Sequence, residues 1–239
     1  MSTSLPENHD GILLIDKPTG ITSHDVVYRL RHALNISRIG HAGTLDPLAT
    51  GLLIMLIGKA TKCSRFFIGM DKCYLGSMKL GETTDSYDSD GTVIDTRVVE
   101  KVDVNDLQTL ADSFLGINEQ VPPMFSAKKL NGRPLYKLAR KGHIVERQPV
   151  SITIKKFVIS KFRGDIVDFF VHCSSGTYIR SLVHDFGQKL GCGAHLCALR
   201  RSAIGQFSVD DALPIEQICS MPPIDIYARL IDPNINGDV

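Results

Sequence analysis

The residues best suited to chemistry in this chain are a loop carboxylate, an arginine and two tyrosines. Asp46 precedes Pro47 in the stretch His41-Ala42-Gly43-Thr44-Leu45-Asp46-Pro47-Leu48-Ala49-Thr50-Gly51. A carboxylate here can act as nucleophile or general base. It can equally be a turn residue that bonds its own backbone, and an Asp-Pro pair alone favours that reading. Arg180 follows Ser174-Ser175-Gly176-Thr177, close to the start of a helical pattern. Buried beside a carboxylate it would hold that group ionised and oriented; on a basic face it would be an ordinary surface cation. Tyr74 and Tyr178 offer rings on which an extruded base can stack, or rings that fill a core.

Two further clusters raise metal readings. Cys192-Gly193-Ala194-His195-Leu196-Cys197 supplies three possible zinc ligands. A structural site wants four, and no second pair lies nearby, so inert buried thiols are the expectation. The acidic run Gly81 to Gly91 has the spaced carboxylates of a calcium loop. It lacks the Glu required at the twelfth position, and calcium is discounted.

Elements must position these groups. Gly11 to Asp16 reads as a short buried strand, and Lys17-Pro18-Thr19-Gly20 as a turn. Ser23 is a candidate N-cap for a helix with the stripe Val26, Val27, Leu30 and Leu34. Residues 35–51 read as one long loop, of the kind that usually carries function. Leu52 to Ile57 and Tyr74 to Leu80 read as strands. Leu107, Leu110, Ala111 and Phe114 predict a helix with Gly116 as its stop. Leu135 to Lys141 predicts a shorter helix ended by Gly142. Val150 to Ile154 alternates as a strand does, Arg163-Gly164-Asp165 is a turn, and Ile166 to Cys173 is a strand. Ile179, Leu182, Val183, Phe186 and Leu190 mark a helix stopped by Gly191; His195 to Arg201 and Gly205 to Val209 are short strands. The absence of strict βαβ alternation predicts an α+β fold with a mixed, largely antiparallel central sheet flanked by helices.

The bulk numbers set bounds. The 239 residues are 43% hydrophobic and 22% charged, enough for one large globular domain. No apolar run approaches the roughly 18 residues that span a bilayer, so no membrane role is expected. The N-terminus has no basic region followed by an apolar stretch, and six scattered cysteines fit a reducing compartment. A cytoplasmic location is the expectation.

Net charge is only +1, but its distribution is uneven. Residues 1–72 carry 8 Lys/Arg against 6 Asp/Glu, and residues 73–123 carry 3 against 10. Residues 124–201 carry 15 against 4, and residues 202–239 carry 1 against 6. A basic block of this strength suits a phosphate backbone, although it can also pair with the acidic segments.

Taken together, the segments carry more than any residue does alone. Asp16 to Ser23, Gly40 to Pro47, Lys72-Cys73-Tyr74, Gly81 to Asp85, Gln120 to Ala127, Cys173 to Arg180 and Leu199-Arg200-Arg201 stand in the order of the TruB family of pseudouridine synthases. The chain resembles that family over roughly residues 11–208. The resemblance implies a pseudouridine synthase fold and the isomerisation of uridine-55 in the T-loop of tRNA. It implies base flipping, C1′–N1 cleavage and C1′–C5 re-joining, with no cofactor. Asp46 then matches the catalytic aspartate, and Arg180 the arginine that pairs with it. Tyr74 matches the tyrosine stacked on the target base. Tyr178 and Leu199 match residues lining the uracil pocket, His41 the residue that helps open the RNA loop, and Lys17 a lysine near the site.

On this reading residues 1–10 are a leader, 11–208 the catalytic domain, and 209–239 a short acidic tail in place of a full appended RNA-binding domain. The expected partner is the tRNA T-arm, recognised by a monomer without guide RNA.

Overall fold

The computed structural model describes residues 10–126, 129–130, 133–134, 139 and 145–233. The helix expected over 135–141 lies outside the described residues apart from position 139, as do most of the leader and the last residues of the tail.

In chain order the elements are β1 (Gly11–Lys17), α1 (Ser23–Leu34), β2 (Ile39–Ala42), β3 (Thr50–Ile57), a 3-10 segment (Gly58–Cys63) and α2 (Ser64–Gly69). There follow β4 (Lys72–Leu80), β5 (Glu82–Thr84), β6 (Val93–Thr96), α3 (Val104–Asp112), β7 (Gly116–Gln120), β8 (Lys129–Leu130) and β9 (Arg133–Pro134). The chain continues with β10 (Val150–Arg163), β11 (Ile166–Cys173), α4 (Ile179–Leu190), β12 (Ala194–Ile204) and β13 (Phe207–Ser208). It closes with a 3-10 segment (Val209–Asp211), β14 (Leu213–Pro214), α5 (Ile215–Ser220) and α6 (Pro223–Tyr227). The class is α+β with mostly antiparallel pairing, as expected. The chain divides into two compact units: Met1–Lys72 with Arg200–Val239, and Cys73–Leu199.

In the first unit β3 is the central strand. β1 pairs antiparallel along it, from Gly11↔Ile57 to Lys17↔Gly51. β2 pairs antiparallel from Ile39↔Ile57 to Ala42↔Ile54, and β12 joins in parallel at Arg200↔Thr50 and Arg201↔Gly51. A strand with partners on both edges and side chains buried on both faces reads as an unbroken apolar run, which is why Leu52 to Ile57 shows no alternation. One face packs Leu52, Ile54 and Leu56 with Ile12, Leu14, Phe67, Ile204 and Phe207. Of the segment read as a tail, the described residues 209–233 are folded: β14 pairs with β1, and Ile215, Ile218 and Ile226 are fully buried.

Two local expectations are corrected here. The N-cap of α1 is Thr22, whose hydroxyl accepts from the Asp25 N–H while the Asp25 carboxylate accepts from the Thr22 N–H. Ser23 is thereby freed for another contact. Within 35–51, Ile39–Ala42 is a strand, too short and too glycine-interrupted to show a period.

The second unit has the strand order β4–β11–β10–β7. Its core is aromatic: Phe157 lies 5.7 Å from Phe169, 5.8 Å from Phe186 and 6.2 Å from Phe114, ring centre to ring centre. The stripe on α4 buries Ile179, Leu182, Val183 and Phe186, and Gly191 ends the helix in the left-handed conformation. Helix α3 is capped at Ser113 rather than stopped by Gly116, which instead opens β7 with φ +88°. The two short strands expected near 200 are β12 and β13, with Gly205 turning between them.

Gly187 on α4 lies against the backbone of Gly193 and Ala194, and a Cβ there would sit 2.1 Å from the Ala194 nitrogen. Alanine gains about 1 kcal/mol of helix propensity over glycine. Overpacking against backbone costs about 1–3 kcal/mol or more, and no flexible side chain can move aside here. Gly187→Ala should therefore lower stability by about 2 kcal/mol, read as a shift of the urea midpoint with an unchanged slope.

Candidate active site

Asp46 sits in the connection between β2 and β3, half-buried. Every part of this short loop is fastened. The Ser23 hydroxyl donates to the Leu45 carbonyl at 3.1 Å and accepts from the Leu45 N–H at 2.9 Å. Gly20 N–H donates to the Pro47 carbonyl at 2.8 Å, and the Thr19 hydroxyl to Leu48 O at 3.2 Å. Ala49 N–H closes the turn onto Asp46 O. The loop is held by the β1–α1 turn and by the first residue of α1.

The third tie is Arg201, 1% exposed, on β12. Its guanidinium donates to Leu52 O at 2.7 Å, Gly43 O at 3.1 Å and Thr44 O at 3.4 Å. Gly51 makes this approach possible: its φ is +100°, and a Cβ would lie 2.3 Å from the Arg201 carbonyl. Across β3 from Arg201, in register with the same glycine, is Lys17. Lys17 is fully buried and donates from Nζ to Pro18 O and Ile21 O, both at 2.8 Å. Burial pushes its ammonium down to about 8. Asp46 works against that fall, Arg201 reinforces it, and Asp25 also opposes it.

His41 lies on β2. Burial first, then Arg201 and His24, hold its pKa below the ordinary imidazole value, so the ring is neutral at pH 7. Its Nδ1 is buried and has no hydrogen-bond partner among the described residues. Lys17, His41 and Asp46 thus share the first unit.

Tyr74, Tyr178, Arg180 and Leu199 belong to the second unit. Tyr74 on β4 and Leu199 on β12 are both buried. Tyr178 directly precedes α4, and the Gln120 side-chain amide fixes its backbone: Tyr178 N–H donates to Oε1 at 2.8 Å, and Nε2 donates to Tyr178 O at 3.1 Å. Arg180 is buried in the first turn of α4. It donates to Phe125 O at 2.7 Å and Ser86 O at 3.1 Å, and its Nη1 lies 3.3 Å from the Asp88 carboxylate. Arg180 is therefore buried rather than on the surface, and within its own unit the Asp88 carboxylate lies beside it.

Asp88 and Arg201 are functional candidates that the sequence reading did not single out. Asp88 lay inside the run weighed for calcium; its carboxylate instead accepts from the Ser86 hydroxyl and from Asp90 N–H at 3.2 Å. Arg201 stood in plain view as an arginine amid a strand pattern, a position that requires buried partners. In the Cys/His cluster, Cys192 donates to Gly193 O, and His195 Nδ1 lies 3.2 Å from Glu82 O. Burial raises the Cys197 thiol, which keeps it protonated. Among the described residues no group of three His, Cys, Asp or Glu is placed to hold a metal ion.

The basic block meets acids in part: Arg200 forms two hydrogen bonds to Asp16, at 3.0 and 2.7 Å, and Arg163 pairs with Asp168 at 2.8 Å. Six of its fifteen cations lie between 128 and 141, outside the described side chains.

Residues 31–179 match the profile of the TruB family pseudouridylate synthase N-terminal domain, and residues 180–222 match that of the tRNA pseudouridylate synthase B C-terminal domain. The tRNA pseudouridine synthase B of Opitutus terrae is 51% identical over 222 residues, covering 93% of this chain and 92% of the relative. That of Endomicrobium trichonymphae is 50% identical over 206 residues, 86% of this chain and 90% of the relative. That of Vibrio campbellii is 46% identical, with 87% and 66% covered. Among solved structures, a chain of a Cbf5–Nop10–Gar1 complex superposes with a TM-score of 0.68 at 28% identity, over 87% of this chain and 53% of that one. An H/ACA ribonucleoprotein bound to a substrate RNA containing 2′-deoxyuridine gives 0.70 at 25% identity, over 94% and 59%. This chain therefore spans only a little over half the length of those two.

Two outcomes follow from the buried cations. Arg201→Met removes three charge-assisted hydrogen bonds from the loop and strand, and should destabilise the fold by about 3–5 kcal/mol in urea unfolding. Lys17 is held at about 8 in the fold, against 10.5 ordinarily. Between those values the unfolded chain binds more protons, so stability rises with pH across that window. The cost of the buried charge is present in full below pH 8. The unfolding free energy of the wild type relative to Lys17→Met should therefore climb from pH 8 to 10.5, by at most about 3 kcal/mol.

Proposed function

This chain belongs to the TruB family of pseudouridylate synthases, which are isomerases, and we propose that it converts uridine-55 in the T-loop of tRNA to pseudouridine with Asp46 as the catalytic carboxylate. The observation that carries the assignment of Asp46 is the fixation of its loop from three directions, by Thr19 and Gly20, by Ser23 and by Arg201. A solvent-facing turn needs no such clamps, whereas a reacting group gains from being pre-positioned before the substrate arrives. The tRNA substrate is supported by the names of the relatives at about 50% identity over most of this chain.

The reaction breaks C1′–N1 of uridine, turns the uracil and joins C5 to C1′. The target base is stacked in an RNA loop and must first be extruded, at a cost of about a few kcal/mol. His41 takes up the space the base leaves, and its neutral ring suits insertion among bases better than a charged one. Tyr74 stacks on the flipped uracil, and Tyr178 and Leu199 line its pocket. Arg180 is the cation of the active centre, and Lys17 shapes the field around Asp46. Asp46 either attacks C1′ to give a sugar ester or removes the C2′ proton to give a glycal; both routes use the same ionised carboxylate. Phosphate contacts from the basic block offset the extrusion cost and make binding salt-dependent.

The enzyme acts as a monomer on the T-arm in the cytoplasm, without guide RNA. No helix among the described residues is long and apolar enough to cross a membrane. The Cbf5–Nop10–Gar1 and H/ACA ribonucleoprotein neighbours are 25–28% identical, well below the tRNA-named relatives.

The test is chemical mapping of pseudouridine in an unmodified tRNA transcript and in its isolated T-arm stem-loop, with purified protein alone. Conversion at position 55 of both is expected. Asp46→Asn should lower turnover by about 10⁴-fold or more while tRNA affinity stays within about threefold. Modification at another position, a need for added guide RNA, or an active Asp46→Asn enzyme would each overturn the corresponding part.

A further inference from the structure

Three consecutive residues of the β5–β6 connection, Ser86, Tyr87 and Asp88, grip helix α4. The outer two hold Arg180: Ser86 through its carbonyl at 3.1 Å and Asp88 through its carboxylate at 3.3 Å. The middle one turns its ring onto His184, one helical turn further along the same face of α4. The ring centres are 3.9 Å apart with planes inclined by 16°.

The backbone of Tyr87 shows that this contact is maintained against a preference. Its φ is +66°, a left-handed conformation that a bulky side chain disfavours. Tyr87 N–H reaches Thr84 O at 3.3 Å, and Tyr87 O accepts from Leu196 N–H at 3.0 Å. The tight turn that directs Ser86 O and the Asp88 carboxylate to one guanidinium requires this conformation at the residue between them. His184 meanwhile makes its contact by shape. Among the described residues its Nδ1 is buried without a hydrogen-bond partner, and burial keeps the ring neutral. A planar apolar face is what this position supplies.

We propose that the stack of His184 on Tyr87 is a positioning device for the reaction, seating the Ser86–Asp88 turn so that the Asp88 carboxylate stays on Arg180. His184 and Tyr87 touch no substrate in this scheme; they are positioning residues that act through Asp88 and Arg180. The proposal rests on the reading of Arg180 as the cation of the active centre.

Steady-state kinetics on unmodified tRNA transcript separate the possibilities. His184→Ala should lower kcat by about five- to tenfold, the factor that loss of one aromatic pair produces, with KM unchanged. His184→Phe keeps a planar face and needs no hydrogen bond, so it should return kcat to within about twofold of wild type. Tyr87→Ala should match His184→Ala, and the double variant should be no slower than the slower single, because one contact is removed in all three. Full activity in His184→Ala overturns the proposal. So does a loss that His184→Phe fails to rescue, or a double variant whose defects multiply. Should His184→Ala fold poorly, the His184→Phe, Tyr87→Phe and Tyr87→Ala enzymes carry the test by themselves. Arg180→Ala, assayed alongside, distinguishes the two levels. An active Arg180→Ala enzyme removes the reading of Arg180, whereas an inactive one beside an unaffected His184→Ala removes only the stack.

Discussion

A buried guanidinium organises the first unit. Arg201 lies on β12 beside β3, at a point where Gly51 leaves no side chain between them, and it spends its hydrogen bonds on the carbonyls of Gly43, Thr44 and Leu52. A planar fork with several donors in fixed directions can satisfy three carbonyls at once, which an ammonium of Lys type does less well. The result is that the strand at the core and the loop bearing Asp46 are tied to one rigid group. Ser23 and Thr19 complete the fixation from the other side of the loop, so the carboxylate is presented by a framework with little freedom left to lose.

The same device recurs in the second unit with a different acceptor set. Arg180 is also buried, also near the start or end of a regular element, and also joined to loop carbonyls, here those of Ser86 and Phe125. It differs in having a carboxylate, Asp88, within 3.3 Å. A buried cation of this kind is expensive to desolvate and is retained where its geometry is needed. Around both arginines the protein uses burial to set charge: Lys17 is pushed down towards neutrality by its surroundings, and His41 and His184 are kept neutral. Neutral rings and fixed cations are a sensible endowment for an enzyme that must accept a polyanion yet handle an uncharged base.

Family membership and these local devices bear on different questions. The comparisons place the chain among the TruB synthases and support a tRNA substrate. They do not explain why Asp46 is held where it is. The hydrogen-bond pattern around residues 43–49 does that, and it does so with residues drawn from the β1–α1 turn, α1 and β12 that have no local relation to Asp46.

The sequence by itself determined the regular elements whose apolar periods are long enough to read. β1, the stripe on α1, α3, α4 and the alternation at the start of β10 follow from side-chain spacing alone, because burial of one face dictates that spacing. It also supplied the residue types of the site, and the ordered blocks that mark the family. It did not reveal β2, whose four residues include a glycine and carry no period, nor that Thr22 rather than Ser23 caps α1. Both serines and threonines cap helices well, and only the contact of Ser23 with Leu45 decides between them. Asp46 came forward by its place in a family pattern; taken as an Asp-Pro turn it read as structural. What tertiary structure adds is the clamp on its loop: Arg201 reaches Thr44 from 157 positions away, and no local rule can foresee a partner at that separation. Hydrogen bonds to a loop are decided by which strands become neighbours, and strand neighbours are a property of the folded chain.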